Sequence, residues 1–78
     1  MDTPREYIAY LPGNGWHVLM KARMRAHTIP QPVIAWGLTR SGEAVAFTVT
    51  PDGRRTIALT EDCDLGKHGI TSYSLERD

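Results

Sequence analysis

Residues 32–61 read PVIAWGLTRSGEAVAFTVTPDGRRTIALTE, and this stretch decides the fold. Apolar and β-branched residues alternate with small or polar ones in three runs, which are separated by RSG and PDG. Period-two alternation is typical of half-buried strands, and Ser-Gly and Asp-Gly favour tight reversals between them. The stretch therefore predicts a three-stranded antiparallel meander.

One face of this meander is predicted to enter the core. With the inward residues of the preceding segment, the predicted core is Val18, Met20, Met24, Ile34, Trp36, Leu38, Val45, Phe47, Val49, Ile57 and Leu59. The opposite face is made of small Ala, Gly and Thr residues. A solvated sheet face usually carries more charge, so something is expected to pack on it, either the chain's own termini or a second copy.

The flanking segments extend the prediction to the whole chain. Residues 16–25 (WHVLMKARMR) alternate as a strand, and residues 6–11 predict a short strand that forms a hairpin with it across Asn14-Gly15. A helical turn beginning at Thr3-Pro4 is the alternative for the N-terminus. Residues 61–69 predict an acidic loop, and residues 70–75 predict an edge strand.

These elements predict a single all-β domain over residues 1–78, with its core meander in 16–60. We expect five or six antiparallel strands that form a twisted sheet or a small barrel. The chain has 78 residues, nine basic and nine acidic, so its net charge does not favour nucleic acid or an anionic membrane. Its single cysteine, Cys63, excludes an intrachain disulfide, and no apolar run is long enough to span a membrane, which predicts a cytoplasmic protein with no membrane partner.

Residues 61–68 hold the only cluster with metal-ligand side chains, Glu61, Asp62, Cys63, Asp64 and His68. A structural zinc site needs four ligands, and there is no second cysteine. Neighbouring carboxylates also oppose the thiolate form of Cys63 that nucleophilic catalysis would need. We therefore expect no cofactor, no metal and no enzyme activity, and a small metal-binding protein is the weakest alternative.

A basic stripe is predicted on the outward face of the 16–25 strand. Lys21, Arg23 and Arg25 would lie about 7 Å apart there, close to the phosphate spacing of one nucleic-acid strand. With Arg54 and Arg55 in the PDG turn, they form a candidate nucleic-acid-binding set. The plainer interpretation is a solvated edge strand whose Lys and Arg residues prevent aggregation.

A protein-binding module without catalytic activity is the leading functional hypothesis. An uncharged small-residue face, an unpaired edge strand and a domain small enough to gain from association favour docking on a larger protein or self-association. The candidate partner-binding residues are Trp16, His17, Lys21, Arg23 and Arg25. Trp16 is a candidate anchor for a partner, and its alternative role is a lid over one end of the core.

Three stretches, GWHV at 15–18, PVIAWGL at 32–38 and TPDGR at 50–54, resemble a group of small β-rich proteins of actinobacteria and their phages. That group has a Gly-Trp strand start, a Pro-Val-x-Ala-Trp-x-Leu strand and a Gly-turned hairpin. The resemblance covers roughly residues 13–60 and implies a cytoplasmic accessory protein of phage or actinobacterial origin. No activity is assigned to the group, so the resemblance implies no site residue.

Overall fold

The computed structural model describes residues 6–77, which form seven strands and one short 3-10 helix. The all-β class predicted from the sequence is confirmed, although the described residues form seven strands where five or six were predicted, in two open sheets and not in a closed barrel. The helical turn predicted at Thr3-Pro4 lies outside the described residues. The strands are β1 (Tyr7–Pro12), β2 (Trp16–Ala22), β3 (Ile29–Pro32), β4 (Ala35–Thr39), β5 (Ala44–Val49), β6 (Thr56–Ala58) and β7 (Ile70–Arg77), and the 3-10 helix spans Gly66–His68.

The strands form two antiparallel sheets, with orders β1-β4-β5-β6 and β3-β2-β7. β1 pairs with β4 and β2 pairs with β3, so the first four strands make one two-stranded ribbon that is folded over at its middle. The predicted meander is present as β4, β5 and β6. β7 joins the free side of β2, at the position where the sequence predicts an edge strand.

The fold in the ribbon depends on a close approach of two backbones. Gly13 is buried, and a Cβ atom added there would overlap the carbonyl oxygen of Val33. Asn14 and Gly15 follow with φ of 52° and 82°, the left-handed conformation that these two residue types tolerate best. The predicted hairpin between β1 and β2 is therefore wrong: this turn carries the chain from one sheet to the other, and β1 pairs with β4.

The core lies between the two sheets. Among the predicted core residues Val18, Met20, Val45 and Ile57 are buried, whereas Ile34 is 48% exposed and Met24 is fully exposed. Trp36, Leu38, Phe47, Val49 and Leu59 are half-buried. The main cluster also contains residues that the alternation did not assign to the core, namely Val33, Ala46 and Ile70.

The faces of β5 are reversed relative to the prediction. Trp36 lies opposite Ala46, and Thr48 lies opposite Ile57, so β5 turns its small residues to the core and Phe47 to the outside. The reason is the length of the loop between β4 and β5, since three residues separate Thr39 from Glu43, to which it is hydrogen-bonded. A loop with an odd number of residues pairs even-numbered residues with even-numbered ones and odd-numbered residues with odd-numbered ones. The small-residue side of β5 is thus covered by the chain's own second sheet.

Thr48 shows how a polar side chain is accommodated in this core. It is fully buried, and its hydroxyl donates a hydrogen bond of 2.8 Å to the carbonyl oxygen of Pro32. A buried hydroxyl without a partner would cost about 1–3 kcal/mol. The bond also joins β5 of one sheet to the last residue of β3 in the other, which closes this side of the core.

Candidate functional site

Within residues 6–77 the two sheets have four edge strands, β1, β6, β3 and β7. An edge strand presents unpaired N–H and C=O groups that can pair with another chain. In an antiparallel sheet these groups point alternately to the two sides of a strand, so the internal hydrogen bonds determine which residues offer their backbone to solvent. The four edges differ strongly in what they offer.

The free edge of β3 has no donors at two of its four residues. The bond from the Val33 amide to the Trp16 carbonyl, 3.0 Å long, sets the alternation between β2 and β3. In this alternation Pro30 and Pro32 occupy the positions whose backbone points away from β2. Neither residue has an N–H group, and the carbonyl of Pro32 already accepts the Thr48 hydroxyl. A further strand therefore cannot pair regularly with β3.

The free edges of β1 and β6 are also protected. β6 has only three residues. The hydrogen bonds between β4 and β5 set the alternation of the sheet, and this alternation leaves the backbone groups of Tyr10 and Pro12 at the free edge of β1. Pro12 has no N–H group and therefore offers no donor there. The pairing of β1 also shifts between Tyr7 and Ala9, with Ile8 as an extra residue in a bulge. Bulges and prolines are the usual means by which proteins prevent edge-to-edge pairing.

Residues 72–77 of β7 carry neither of these features, and the one shift in the pairing of β7 with β2 lies before them, between Ile70 and Ser72. The strand is eight residues long, without proline or glycine, and residues 72–77 pair with β2 in one continuous register. Because His17, Leu19 and Lys21 point their backbone toward β7, the even-numbered residues of β7 bond to β2. The odd-numbered residues that remain at the free edge are Tyr73, Leu75 and Arg77. Each of them offers both an N–H and a C=O group.

The side chains of β7 add apolar contact area beside this edge. Tyr73 and Leu75 lie opposite the fully buried Met20 and Val18, so they belong to the core side of their sheet. Both are nevertheless 39% exposed, since the other sheet does not cover them completely. The edge therefore combines free backbone groups with two partly uncovered apolar side chains. We define Tyr73, Leu75 and Arg77 as the β7 edge.

Three of the predicted partner-binding residues lie next to β7. Trp16 lies opposite Arg77, is half-buried and packs edge-to-face on Trp36 with 5.7 Å between ring centroids, which places it as a lid on the core. His17 lies opposite Glu76, and Lys21 lies opposite Ser72. These two side chains are on the outer face of the sheet, on the strand that bonds directly to β7.

The predicted basic stripe does not form. β2 ends at Ala22, and Met24 has a φ of 63°, so Arg23 and Arg25 leave the strand before they can continue its alternation. The Arg23 guanidinium turns toward the acidic loop: a Cβ atom added at Gly66 would lie 3.6 Å from Arg23 Nη2 and 3.6 Å from Asp64 Oδ1. The regular 7 Å spacing predicted for nucleic-acid binding is therefore wrong.

Arg54 and Arg55 lie in the turn between β5 and β6, where the Arg55 amide donates to the hydroxyl of the buried Thr50 over 3.2 Å. The Thr50 hydroxyl donates to Asp52, and the Arg54 amide donates to Asp52 Oδ1 over 3.1 Å. These two bonds, the first above all, lower the pKa of Asp52 below its ordinary value of 3.8. Both arginines are exposed and stay candidates for contact with a partner or with nucleic acid.

The acidic loop uses its carboxylates locally. Asp62 accepts the Thr60 hydroxyl over 2.6 Å, and Asp64 accepts the Lys67 amide over 3.1 Å. Burial, and then the charges of Asp62 and Asp64, raise the pKa of the Cys63 thiol. Within residues 6–77 no group of three or more His, Cys, Asp or Glu side chains is arranged to hold a metal ion.

A cavity of about 360 Å³ opens where β5 and the segment after β6 diverge. Its lining residues are Glu43, Ala44, Val45, Leu59, Thr60 and Glu61. Its wall holds the carboxylates of Glu43 and Glu61, and none of these lining residues is a histidine or cysteine.

The sequence did not single out Tyr73, Leu75 and Arg77 as candidate site residues. Their signal was weak because the alternation of residues 70–75 is weak. A usable signal was the contrast between the prolines at 12, 30 and 32 and a final run, ITSYSLER, that contains no breaker. Only the strand order shows which of these segments are edges.

No family model, no curated protein and no solved structure matches this chain. The similarity to small actinobacterial and phage proteins stays a prediction. Within residues 6–77 no helix reaches the length and apolar character that crossing a bilayer requires.

Proposed function

We propose that this protein is a non-catalytic protein-binding module, a small accessory protein that binds an extended segment of its partner at the β7 edge. One observation supports this proposal above the others: β7 has the only edge among the described strands that is long, regular and free of proline. Proteins generally protect such edges, so an unprotected one is a candidate for strand addition.

The chemistry of strand addition fits what β7 offers. Backbone hydrogen bonds to Tyr73, Leu75 and Arg77 would supply most of the affinity, since strand addition depends on main-chain pairing. The exposed parts of Tyr73 and Leu75 would supply apolar contact on the core side. On the outer face, Ser72 and Ser74 are small and leave room for the side chains of an incoming strand.

The predicted partner-binding set is divided by this proposal. Trp16, His17 and Lys21 belong to the strand next to β7, so they would contribute to the surface around the bound segment. Arg23 and Arg25 lie in the turn that follows β2 and are not part of the β7 edge. The basic residues therefore add to the proposal only through Lys21.

A matched pair of proline variants tests the proposal. Leu75→Pro removes an amide from the free edge of β7, and Tyr10→Pro removes an amide from the free edge of β1; neither amide bonds within the fold. In affinity capture from a nuclease-treated cell lysate, we expect the wild type and Tyr10→Pro to retain the same partner and Leu75→Pro to lose it. Amide exchange should then show protection of Tyr73, Leu75 and Arg77 in the complex.

Two results would contradict the proposal. Capture that is unchanged in Leu75→Pro would exclude the β7 edge. Capture that disappears with nuclease and weakens in an Arg54→Glu, Arg55→Glu variant would favour the nucleic-acid hypothesis, because phosphate contacts are electrostatic and do not require a free strand.

A further inference from the structure

We infer that the strand bound at the β7 edge belongs to a second copy of this chain, with the two β7 strands antiparallel about a two-fold axis at Leu75. This inference rests on the proposed function, since it names the partner of the same edge. A two-fold interface requires a surface that is complementary to itself. The β7 edge meets this requirement in its backbone, its side chains and its charges.

The backbone groups select the register. Only Tyr73, Leu75 and Arg77 point regularly to the free edge, so a symmetric pairing uses all three only if Leu75 faces Leu75 of the second copy. Tyr73 then faces Arg77 of the second copy, and each of the three facing pairs exchanges two backbone hydrogen bonds. A register centred on Ser74 would place Arg77 opposite Thr71, where the pairing of β7 with β2 is interrupted.

The side chains and charges agree with this register. On the core side, the two Leu75 side chains meet at the axis, and each Arg77 guanidinium lies beside a Tyr73 ring, an arrangement that favours cation–π contact. On the outer face, Glu76 lies opposite Ser74 of the second copy. No two like charges face each other, because both charged residues of β7 are at its C-terminal end and an antiparallel copy carries them to opposite sides.

The strand order also explains why association would stop at two chains. Pairing through β7 produces a continuous six-stranded sheet of order β3-β2-β7-β7-β2-β3. Both of its outer edges are β3 strands, in which Pro30 and Pro32 remove the donors that a further strand needs. The sheet is therefore closed to growth, and the expected assembly is a dimer.

Light scattering coupled to size exclusion tests the stoichiometry. We expect a mass twice the 8.7 kDa of one chain at high concentration, with dissociation on dilution. Tyr10→Pro should keep this dimer and Leu75→Pro should be monomeric, while circular dichroism confirms that both variants are folded. A wild type that is monomeric at every concentration, or a dimer that persists in Leu75→Pro, would overturn the inference.

Cysteine cross-linking tests the register. In a Cys63→Ser background, Leu75→Cys places two thiols at the axis, where facing Cα atoms are about 5.5 Å apart, within the range of a disulfide. We expect rapid dimer formation with a mild oxidant for Leu75→Cys, and little for Ser74→Cys or Tyr73→Cys, whose copies are offset along the strand. Equal cross-linking at all three positions would contradict the register.

The failure of this inference is distinguishable from failure of the proposed function. If the wild type is monomeric but still captures a partner that Leu75→Pro loses, the β7 edge binds a different protein and only the second copy is excluded. If neither dimerisation nor capture depends on Leu75, both proposals fail together.

Discussion

β1 and β7 are both edge strands, and β1 is the more apolar of the two. Ile8, Tyr10 and Leu11 are each more than half exposed, whereas β7 exposes mainly serines, a threonine and charged residues around Tyr73 and Leu75. Hydrophobicity alone would therefore select β1 as the docking strand. The backbone gives the opposite result, because a bulge and a proline interrupt the free edge of β1 and nothing interrupts residues 72–77 of β7. The difference teaches that edge availability depends on which N–H groups point outward.

The largest effect on stability is expected at Gly13, in the turn between β1 and β2. Gly13→Ala would drive a methyl group into the backbone carbonyl of Val33, and backbone atoms can move aside only if the ribbon unfolds locally. We expect a loss of at least about 3 kcal/mol in the free energy of unfolding, measured by urea denaturation. Gly42→Ala is the control, since nothing lies within 4 Å of its added Cβ atom, although its φ of 90° adds some strain. Equal losses in both variants would contradict the close approach.

Proline substitutions at two neighbouring positions of β7 test which of its backbone amides bond to β2 and which point to solvent. Ser74 points its amide to β2 and Leu75 points its amide to solvent, so the same substitution should have unequal effects one residue apart. We expect Ser74→Pro to cost about 3 kcal/mol of monomer stability and Leu75→Pro about 1 kcal/mol, mostly from lost side-chain contact. Thermal unfolding at low protein concentration measures both. The reverse order of stability would show that the alternation assigned to β7 is wrong.

A third substitution tests what holds β1 to its sheet. A Cβ atom added at Gly37 would lie 2.6 Å from Phe47 Cε2 and 2.6 Å from Tyr7 Cδ1, so the rings of Tyr7 and Phe47 pack directly over this glycine. The Tyr10 ring packs against both of them. Gly37→Ala should displace the rings and cost about 1–3 kcal/mol. Near-ultraviolet circular dichroism would report the displaced tyrosines, and β7-dependent binding should remain. A spectrum identical to wild type would contradict this packing.

The smallest effect is expected at the turn next to β6, the shortest edge. The pKa of Asp52 is lowered by the Thr50 hydroxyl and the Arg54 amide, so its ionised form stabilises the folded state above the ordinary pKa of 3.8. This stabilisation is lost as the pH falls below 3.8 through the folded-state pKa. Asp52→Asn should lower the Tm slightly at pH 7 and reduce the difference in Tm between pH 7 and pH 3. An unchanged pH dependence would exclude this role, and Glu61→Gln is the control.

The local features of the fold could be predicted from the sequence, and the non-local ones could not. The β4-β5-β6 meander followed from alternation and from glycines in its turns, which are properties of adjacent residues. The face of β5 that points inward depends on whether the loop before it has an odd or an even number of residues. The prediction therefore placed Phe47 in the core and Ala46 on the outer face, the reverse of the arrangement in the structure. The partner of β1 depended on a contact between Gly13 and Val33, residues twenty positions apart in the chain.

The candidate site shows the same division. His17 and Lys21 were predicted on the outward face of a strand, and they lie there. Arg23 and Arg25 were predicted on the same face, but the left-handed Met24 ends the regular geometry, and no local pattern marks a methionine for that conformation. The β7 edge could not be identified from residues 70–77 alone, because an edge is defined by the strands that are missing beside it.

The two methionines among residues 6–77 lie at opposite extremes of solvent exposure. Met24 is fully exposed at the tip of a turn, whereas Met20 has no exposed surface. Dilute peroxide should convert Met24 to the sulfoxide quickly and without harm, while Met20 can react only when the two sheets separate. The ratio of Met20 sulfoxide to Met24 sulfoxide, measured by mass spectrometry, would therefore report how often the folded chain opens. The fast oxidation of Met24 serves as the reference.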